Sequence, residues 1–408
     1  MTKRYLCLLA FILSSCVLEL PTAPELNVNL SDFEVDKIPL SELSKSEMNG
    51  VYSVIQGKEI LGDEIVGVWV GNRWCFHSKN DVIYSENSGG ITGSEIKFTG
   101  YIRLVRSGSG YIVDLSIKNN DGAVELISGE SPSQIVLAGE TRDGVKINLK
   151  RKRSLYNTQK DFAILGHRGG GRNSERLGYS ENSIEMIIHS QILGATGVEI
   201  DVKRTRDGQL IVFHDDTFSP RTVKGSYLLG KVENFDLEQI KTFGHLINGE
   251  DIPTLSEALN AVIDKTSLSM VWLDIKDPAT VDEALRIQSE AITYANLKSR
   301  DVKILFGIPS DEVLRAYQNS KLINATPVLI ELNADIALSY NNCEVWAPRW
   351  TNGIPSGDIS RFHSMGKKVF VWTLDVRDYI NDFLNNNGID GILSNYPSLV
   401  SGMYYSKE

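Results

Sequence analysis

Cysteine is scarce in this chain: four occur in 408 residues, at Cys7, Cys16, Cys75 and Cys343. None pairs with another at Cys-x-x-Cys spacing, so neither a disulfide-built scaffold nor a thiolate zinc site fits. Positive charge is also in deficit. Lys and Arg number 42 against 52 Asp and Glu, a formal net charge of -10, which argues against nonspecific wrapping of nucleic acid by a basic surface. The apolar run from Tyr5 to Leu13 is too short to cross a bilayer as a helix. A Gly-x-x-x-x-Gly-Lys-Ser/Thr loop is missing, and "GHRGGG" (166–171) lacks the context of a dinucleotide fingerprint.

What is present can build real cores. Hydrophobic residues make up 42% of the chain and the mean hydropathy is -0.15, outside the disordered range. The length favours two domains. Lys3 and Arg4, the short apolar run and then "LSSC" resemble a bacterial lipoprotein signal. On that reading residues 1–15 are removed, Cys16 is lipidated, and residues 16–45 form a tether. Val17 in place of aspartate after the cysteine then points to export and anchoring at the outer membrane, facing the periplasm or the cell surface. An ordinary secretory signal with an incidental Cys16 is the competing reading. Cys75 and Cys343 remain as either buried thiols or a bridge between the two regions that follow.

Residues 46–153 read as a small all-β domain, an antiparallel barrel or sandwich. "VYSVIQG", "EIVGVWVGNRWCFH", "DVIYSE", "SEIKFTGYIRLVR", "GYIVDLSI", "AVELIS", "QIVLAG" and "VKINLKR" are β-branched or aromatic runs separated by turn-prone pairs. Trp69 and Trp74 either fill its core or offer an exposed face to a sugar or lipid. His77 stands alone and suggests no chemistry.

Residues 160–402 alternate strand-like and helix-like segments, the pattern of a (β/α)8 barrel. Asn182 is placed to cap a helix with Glu185 answering at its third position. The region holds nine strand candidates, one too many for the barrel. "CEVWAPRW" (343–350) is taken as the outlier.

Strand ends are where such a barrel keeps its chemistry. His167 and Arg168 end the first candidate, His214 and Asp215 the third, and Trp372 and Thr373 end the "VFVW" strand. Glu199 and Asp201 lie two apart on the second and so share a face, as do Asp274 and Lys276 on the fourth. Three converging carboxylates, Glu199, Asp201 and Asp274, are costly without a cation between them. An all-oxygen donor set selects a hard one, Mg2+ or Ca2+. Arg168 and Lys276 then favour an anionic guest, and two histidines offer an acid and a base for a phosphodiester.

"HRGGG", "SENS", "GVEIDVKRTRDGQLIVFHDDTFSPRT", "IPTLSEAL", "WLDIK", "VFVWTLD" and "GIDGILSNYP" together resemble the glycerophosphodiester phosphodiesterase family from about Phe162 to Pro397. The resemblance implies a (β/α)8 barrel that cleaves glycerophosphodiesters to sn-glycerol 3-phosphate and an alcohol. It implies His167 and His214 as the acid–base pair, and Glu199, Asp201 and Asp274 as ligands of one divalent cation. Arg168 and Lys276 would serve the phosphate, Trp372 would wall the pocket, and Glu181 would organise the site. Two departures stand out: Asp274 where the family usually has glutamate, and the inserted "RNSERLGY" (172–179), expected to overhang the site and shape substrate choice. Other readings stay open: a lysophospholipase D-like activity, cleavage of a glycerophosphate polymer at the cell surface, or a non-catalytic surface binding lipoprotein.

Overall fold

The computed structural model describes residues 37–156, 161–225, 227–353, 356–385 and 388–408. The signal-like start and Cys16 lie outside them. Eight antiparallel strands, Gly50–Gln56, Glu64–Val70, Arg73–Ser78, Ile83–Thr92, Glu95–Leu104, Ser109–Ile117, Val136–Thr141 and Lys146–Arg153, close into a barrel. The first pairs with the last, Val54 opposite Leu149, so no strand edge is left open.

Trp74 is fully buried there, with Tyr52 and Phe76 edge-on to its ring. Trp69 packs half-buried against the same core under the Lys45 ammonium, 5.5 Å from the ring centroid. The core therefore claims Trp74 outright, while Trp69 also lines a small cavity with Leu40, Lys45 and Asn72.

"EIVGVWVGNRWCFH", counted as one run but holding the turn-prone Asn72-Arg73 pair, is a hairpin that turns at Gly71, and "AVELIS" is not a strand but the helix Ala123–Ser128. Left-handed glycines bracket that helix (Gly122, φ 107°; Gly129, φ 76°), and its buried residues, Ala123 and Leu126, lie three apart. The two differences cancel in the strand count. Order also begins before the expected end of the tether: Ile38 bridges Ile91, and the helix Glu42–Met48 is capped by Ser41 Oγ.

The second barrel is parallel. Its staves are Ala163–Gly166, Gly197–Arg204, Met270–Ile275, Lys303–Ile308, Val328–Ile330, Cys343–Trp346, Lys368–Val371 and Gly391–Ser394. Ile392 pairs with Ile164 and Leu165 with Gly197 to close the ring. Cys343–Trp346 is thus a true stave, and the expectation that "CEVWAPRW" stands outside is wrong. The supernumerary strand is Leu210–Val212, which runs antiparallel to Gly197–Arg204. Only residues 205–209 connect these two strands, too few for the crossover a parallel neighbour needs. The Asp207-Gly208 turn (Gly208 φ 83°) closes a hairpin instead.

The two barrels share a core. Cys75, Val82, Tyr84 and Val105 of the small barrel pack with Ile192, Leu399, Val400 and Met403 of the large one. His77 bridges them, its Nε2 donating to Ile192 O at 2.8 Å and its Nδ1 accepting from Ser401 Oγ at 3.0 Å. The helix Pro397–Tyr405, three residues longer than the expected end of the barrel, approaches so closely that a Cβ on Gly402 would sit 2.3 Å from Ser78 O. Cys75 lies in this joint and Cys343 in the wall of the large barrel, both as buried free thiols.

Candidate active site

The inward face of the parallel barrel is apolar at depth, with Leu165, Trp272, Leu329, Phe370 and Leu393 packed together. Side chains alternate along a strand, so the residue two further on faces the same way. Stepping up by two gives His167, Asp274, Glu331, Trp372 and Asn395, and from Ala347 the same step gives Arg349. All but Asn395 line a cavity of about 470 Å³ at the carboxyl ends of the staves, together with Glu199, His214 and Lys276. Parallel pairing sets Asp201 beside Asp274, with Glu199 one inward step below.

One oxygen from each of Glu199, Asp201 and Asp274 lies within 4.8 Å of the others. Lys276 Nζ spans Asp201 Oδ1 at 2.6 Å and Asp274 Oδ2 at 2.9 Å. Asn182 Nδ2 donates to Asp201 Oδ2 at 2.9 Å. Burial opposes ionisation of Asp201, but Lys276, His214 and the Asn182 amide outweigh it and hold the carboxyl at about 2. Glu199 goes the other way: burial, then the charges of Asp201 and Asp274, push it well above the usual range. Burial raises Asp274 as well, against the pull of Lys276.

Among the described residues, Glu199 Oε1 and Asp274 Oδ1 are buried without a hydrogen-bond partner, a costly state for oxygens that face a ligand site. These residues fit a hard divalent cation: all donors are oxygens, two want a partner, and one lysine leaves the negative charge incompletely matched. A second acidic group, Glu181, His214 and Asp215, is already neutralised by Arg168 and Arg221.

Each histidine is fixed in one tautomer by its neighbour. Asn395 Nδ2 donates to Asp375 Oδ2 at 2.6 Å, which turns its Oδ1 toward His167 Nδ1 at 2.7 Å. His167 Nδ1 must then carry the proton, leaving Nε2 bare, 3.8 Å from Glu199 Oε2. Burial holds His167 down at about 4. His214 Nδ1 donates to Asp215 Oδ1 at 2.8 Å, and Nε2 accepts from Arg168 Nη2 at 2.8 Å, 4.0 Å from Asp201 Oδ1.

Comparison with known proteins fixes the family. The family model for the glycerophosphoryl diester phosphodiesterase family matches residues 167–399, more than half of the chain. The chain belongs to this family. Among relatives of this glycerophosphoryl diester phosphodiesterase homologue, the glycerophosphodiester phosphodiesterase of Caldanaerobacter subterraneus subsp. tengcongensis is 26% identical over 253 residues, covering 57% of this chain and 94% of that one. A solved glycerophosphodiester phosphodiesterase from Parabacteroides distasonis covers 59% of this chain and 95% of its own, at 20% identity and a TM-score of 0.47. A phosphodiesterase from Oleispira antarctica, solved with the product sn-glycerol-3-phosphate, covers 58% and 94% at 22% identity and a TM-score of 0.45.

Within this family member, the structure brings together His167, His214, Glu199, Asp201, Asp274, Lys276 and Trp372, as the sequence suggested. Glu181 organises the wall: it takes Arg168 Nη1 and Arg221 Nη2, each at 3.0 Å, and the backbone N–H of Asn173. Three placements differ. Arg168 does not line the cavity; its guanidinium is committed to Glu181 and His214, and the arginine at the cavity is Arg349, stacked 4.6 Å over Trp372. Asn182 does not cap the following helix. It sits at φ 63° and holds Asp201, while Ser183 Oγ caps by accepting from Met186 N. The 172–179 insertion does not overhang the cavity: none of its residues lines it, and Leu177 is buried in the joint with the small barrel. Glu331, Arg349, Asn395 and Asp375 were missed from sequence, although the first three fall on the two-residue step past an inward apolar side chain.

Proposed function

We propose that the protein hydrolyses glycerophosphodiesters to sn-glycerol 3-phosphate and an alcohol, with His167 and His214 as its acid–base pair. One observation carries this reading: two Nε2 atoms lie about 4 Å from the same carboxylate trio, across a single cavity. Glu199, Asp201 and Asp274 would hold Mg2+ or Ca2+, which would offset their charge and supply Lewis acidity for phosphoryl oxygens. One imidazole, neutral, takes at Nε2 the proton of the attacking oxygen, of water or of the substrate's own glycerol hydroxyl; in the second case water then opens the cyclic phosphate to sn-glycerol 3-phosphate. The other, entering as imidazolium, gives a proton to the departing alkoxide, so that the exchange balances. Asn395 holds the His167 ring with its Nε2 toward the carboxylate trio, and Asp215 holds the His214 ring, whose Nε2 takes Arg168 Nη2 and must be released by it to exchange a proton. Arg349 and Lys276 add positive charge for the phosphate, and Trp272 and Trp372 wall the cavity against water.

Turnover of glycerophosphocholine, glycerophosphoglycerol and a lysophospholipid by the purified protein, with and without chelator, tests this. Chelator-sensitive release of sn-glycerol 3-phosphate is expected. Turnover of only the lysophospholipid would replace the reading with a lysophospholipase D-like one, and turnover of none would favour a binding lipoprotein. For location, the Lys3-Arg4 start and "LSSC" support export and a lipid anchor on Cys16. Cys16→Ser should then move the protein from the detergent phase to the soluble fraction.

A further inference from the structure

We propose that the small barrel positions His214, acting through Arg103 and the 172–179 insertion. The inference rests on the phosphodiesterase reading for its kinetic consequence but not for its geometry. Arg103, buried on the small-barrel strand Glu95–Leu104, donates from Nη2 to Arg176 O at 2.7 Å. Arg176 sits at φ 54°, a left-handed conformation that a side-chain-bearing residue keeps only where its surroundings enforce it. Next to it, Leu177 is buried in the joint between the barrels. The insertion is thus gripped from outside the catalytic barrel.

One short helical turn away, at Asn173, the grip divides into two arms. Asn173 N donates to Glu181 Oε2 at 3.0 Å and Glu181 N to Asn173 Oδ1 at 2.8 Å. Glu181 holds Arg168 Nη1 at 3.0 Å, and Arg168 Nη2 meets His214 Nε2 at 2.8 Å. On the other arm, Asn173 Nδ2 donates to Arg221 O at 3.1 Å, and Arg221 Nε donates to Asp215 Oδ2 at 3.1 Å. Asp215 Oδ1 accepts from His214 Nδ1 at 2.8 Å. Both ring nitrogens of His214 therefore trace back to Asn173, and Asn173 to Arg103. His214 needs such bracing because it follows a three-residue hairpin strand outside the ring of parallel staves. Arg103 is a positioning residue; it touches neither the cavity nor the carboxylate trio.

The experiment compares the full-length parent with Arg103→Met, Arg103→Lys and Asn173→Ala. It reads kcat and KM on glycerophosphocholine and, separately, the ring 15N resonances of His214 assigned with His214→Ala. In Arg103→Met, kcat should fall on the order of 10- to 10²-fold, as for a misplaced acid–base group, with KM within about threefold of the parent. The His214 resonances should move, and Arg103→Lys, which keeps a charged donor, should recover most of the kcat. Asn173→Ala leaves the joint between barrels intact and should give the same resonance change; it decides the case if Arg103→Met does not fold. An unmoved His214 in either folded variant, or a kcat loss that lysine does not recover, overturns the relay. A parent without turnover would sink the phosphodiesterase reading alone, and the resonances would still decide the relay.

Discussion

Asn395 Oδ1 lies 2.7 Å from His167 Nδ1, and Asp375 holds the amide in that orientation. Freed from Asp375, the amide can rotate and present its NH2 to His167, which then loses its tautomer. Asp375→Asn and Asn395→Ala should each lower kcat by on the order of 10-fold or more, in the range typical of partners that orient a working imidazole. Steady-state kinetics on glycerophosphocholine measures this, and parental kcat in Asn395→Ala would remove Asn395 from the account.

Removal of either imidazole should be more severe. His167→Ala and His214→Ala are each expected to cost on the order of 10²-fold or more in kcat, the usual contribution of a positioned acid or base. Near-parental turnover in either variant, with folding checked by circular dichroism, would refute the assigned roles.

The carboxylate trio makes a separate prediction that needs no turnover. Glu199→Gln and Asp274→Asn each replace a carboxyl group that has one oxygen without a hydrogen-bond partner among the described residues. Both should weaken divalent-cation binding by on the order of 10-fold or more. Calorimetric titration with Mg2+ and with Ca2+ reads this directly. Equal affinity in parent and Glu199→Gln would place the cation elsewhere.

Acid should loosen the joint between the barrels. Burial lowers both His77 and His189, the latter edge-on to Tyr84 of the small barrel, to about 4. Their stability contribution is complete above the unfolded value near 6.5 and is lost as pH falls from there toward 4. Each contributes on the order of 3 kcal/mol at most, at 1.36 kcal/mol per pKa unit. The unfolding midpoint in urea should fall between pH 7 and pH 4.5, and less so in His77→Gln, whose amide can serve Ile192 O and Ser401 without titrating. An identical fall in parent and variant would show that His77 is not responsible.

Gly402 tests the same joint by size. A methyl group there meets the backbone oxygen of Ser78 at 2.3 Å, and backbone cannot step aside as a flexible side chain can. Gly402→Ala should cost about 1–3 kcal/mol, the usual range for overpacking. Unchanged stability in urea would mean that the two barrels shift apart freely.

Much of the site was legible because strand alternation is rigid. Glu-x-Asp at 199 and 201 and Asp-x-Lys at 274 and 276 share a face whatever surrounds them. Asn395, Glu331 and Arg349 obey the same step but lie just past their strands, beside ordinary loop residues, and nothing local singles them out. The two misplaced strands have different causes. "AVELIS" is β-branched, yet its buried residues are spaced three apart, and that spacing outranks composition. "IVFH" looked like a stave because a hairpin strand and a buried parallel strand are equally apolar. Only the length of the link before it tells them apart. Asn182 was misjudged because its left-handed backbone, which turns its side chain toward Asp201, leaves no trace in the sequence.

The shared core between the barrels has a consequence for how the chain can be cut. Ser401 and Gly402 of the last helix meet His77 and Ser78 of the small barrel, so the face they share is made of small side chains. A protein trimmed to the parallel barrel alone would lose the close fit that those small residues serve. A natural homologue lacking the front domain is free of that limit and can carry bulkier side chains where this one has serine and glycine.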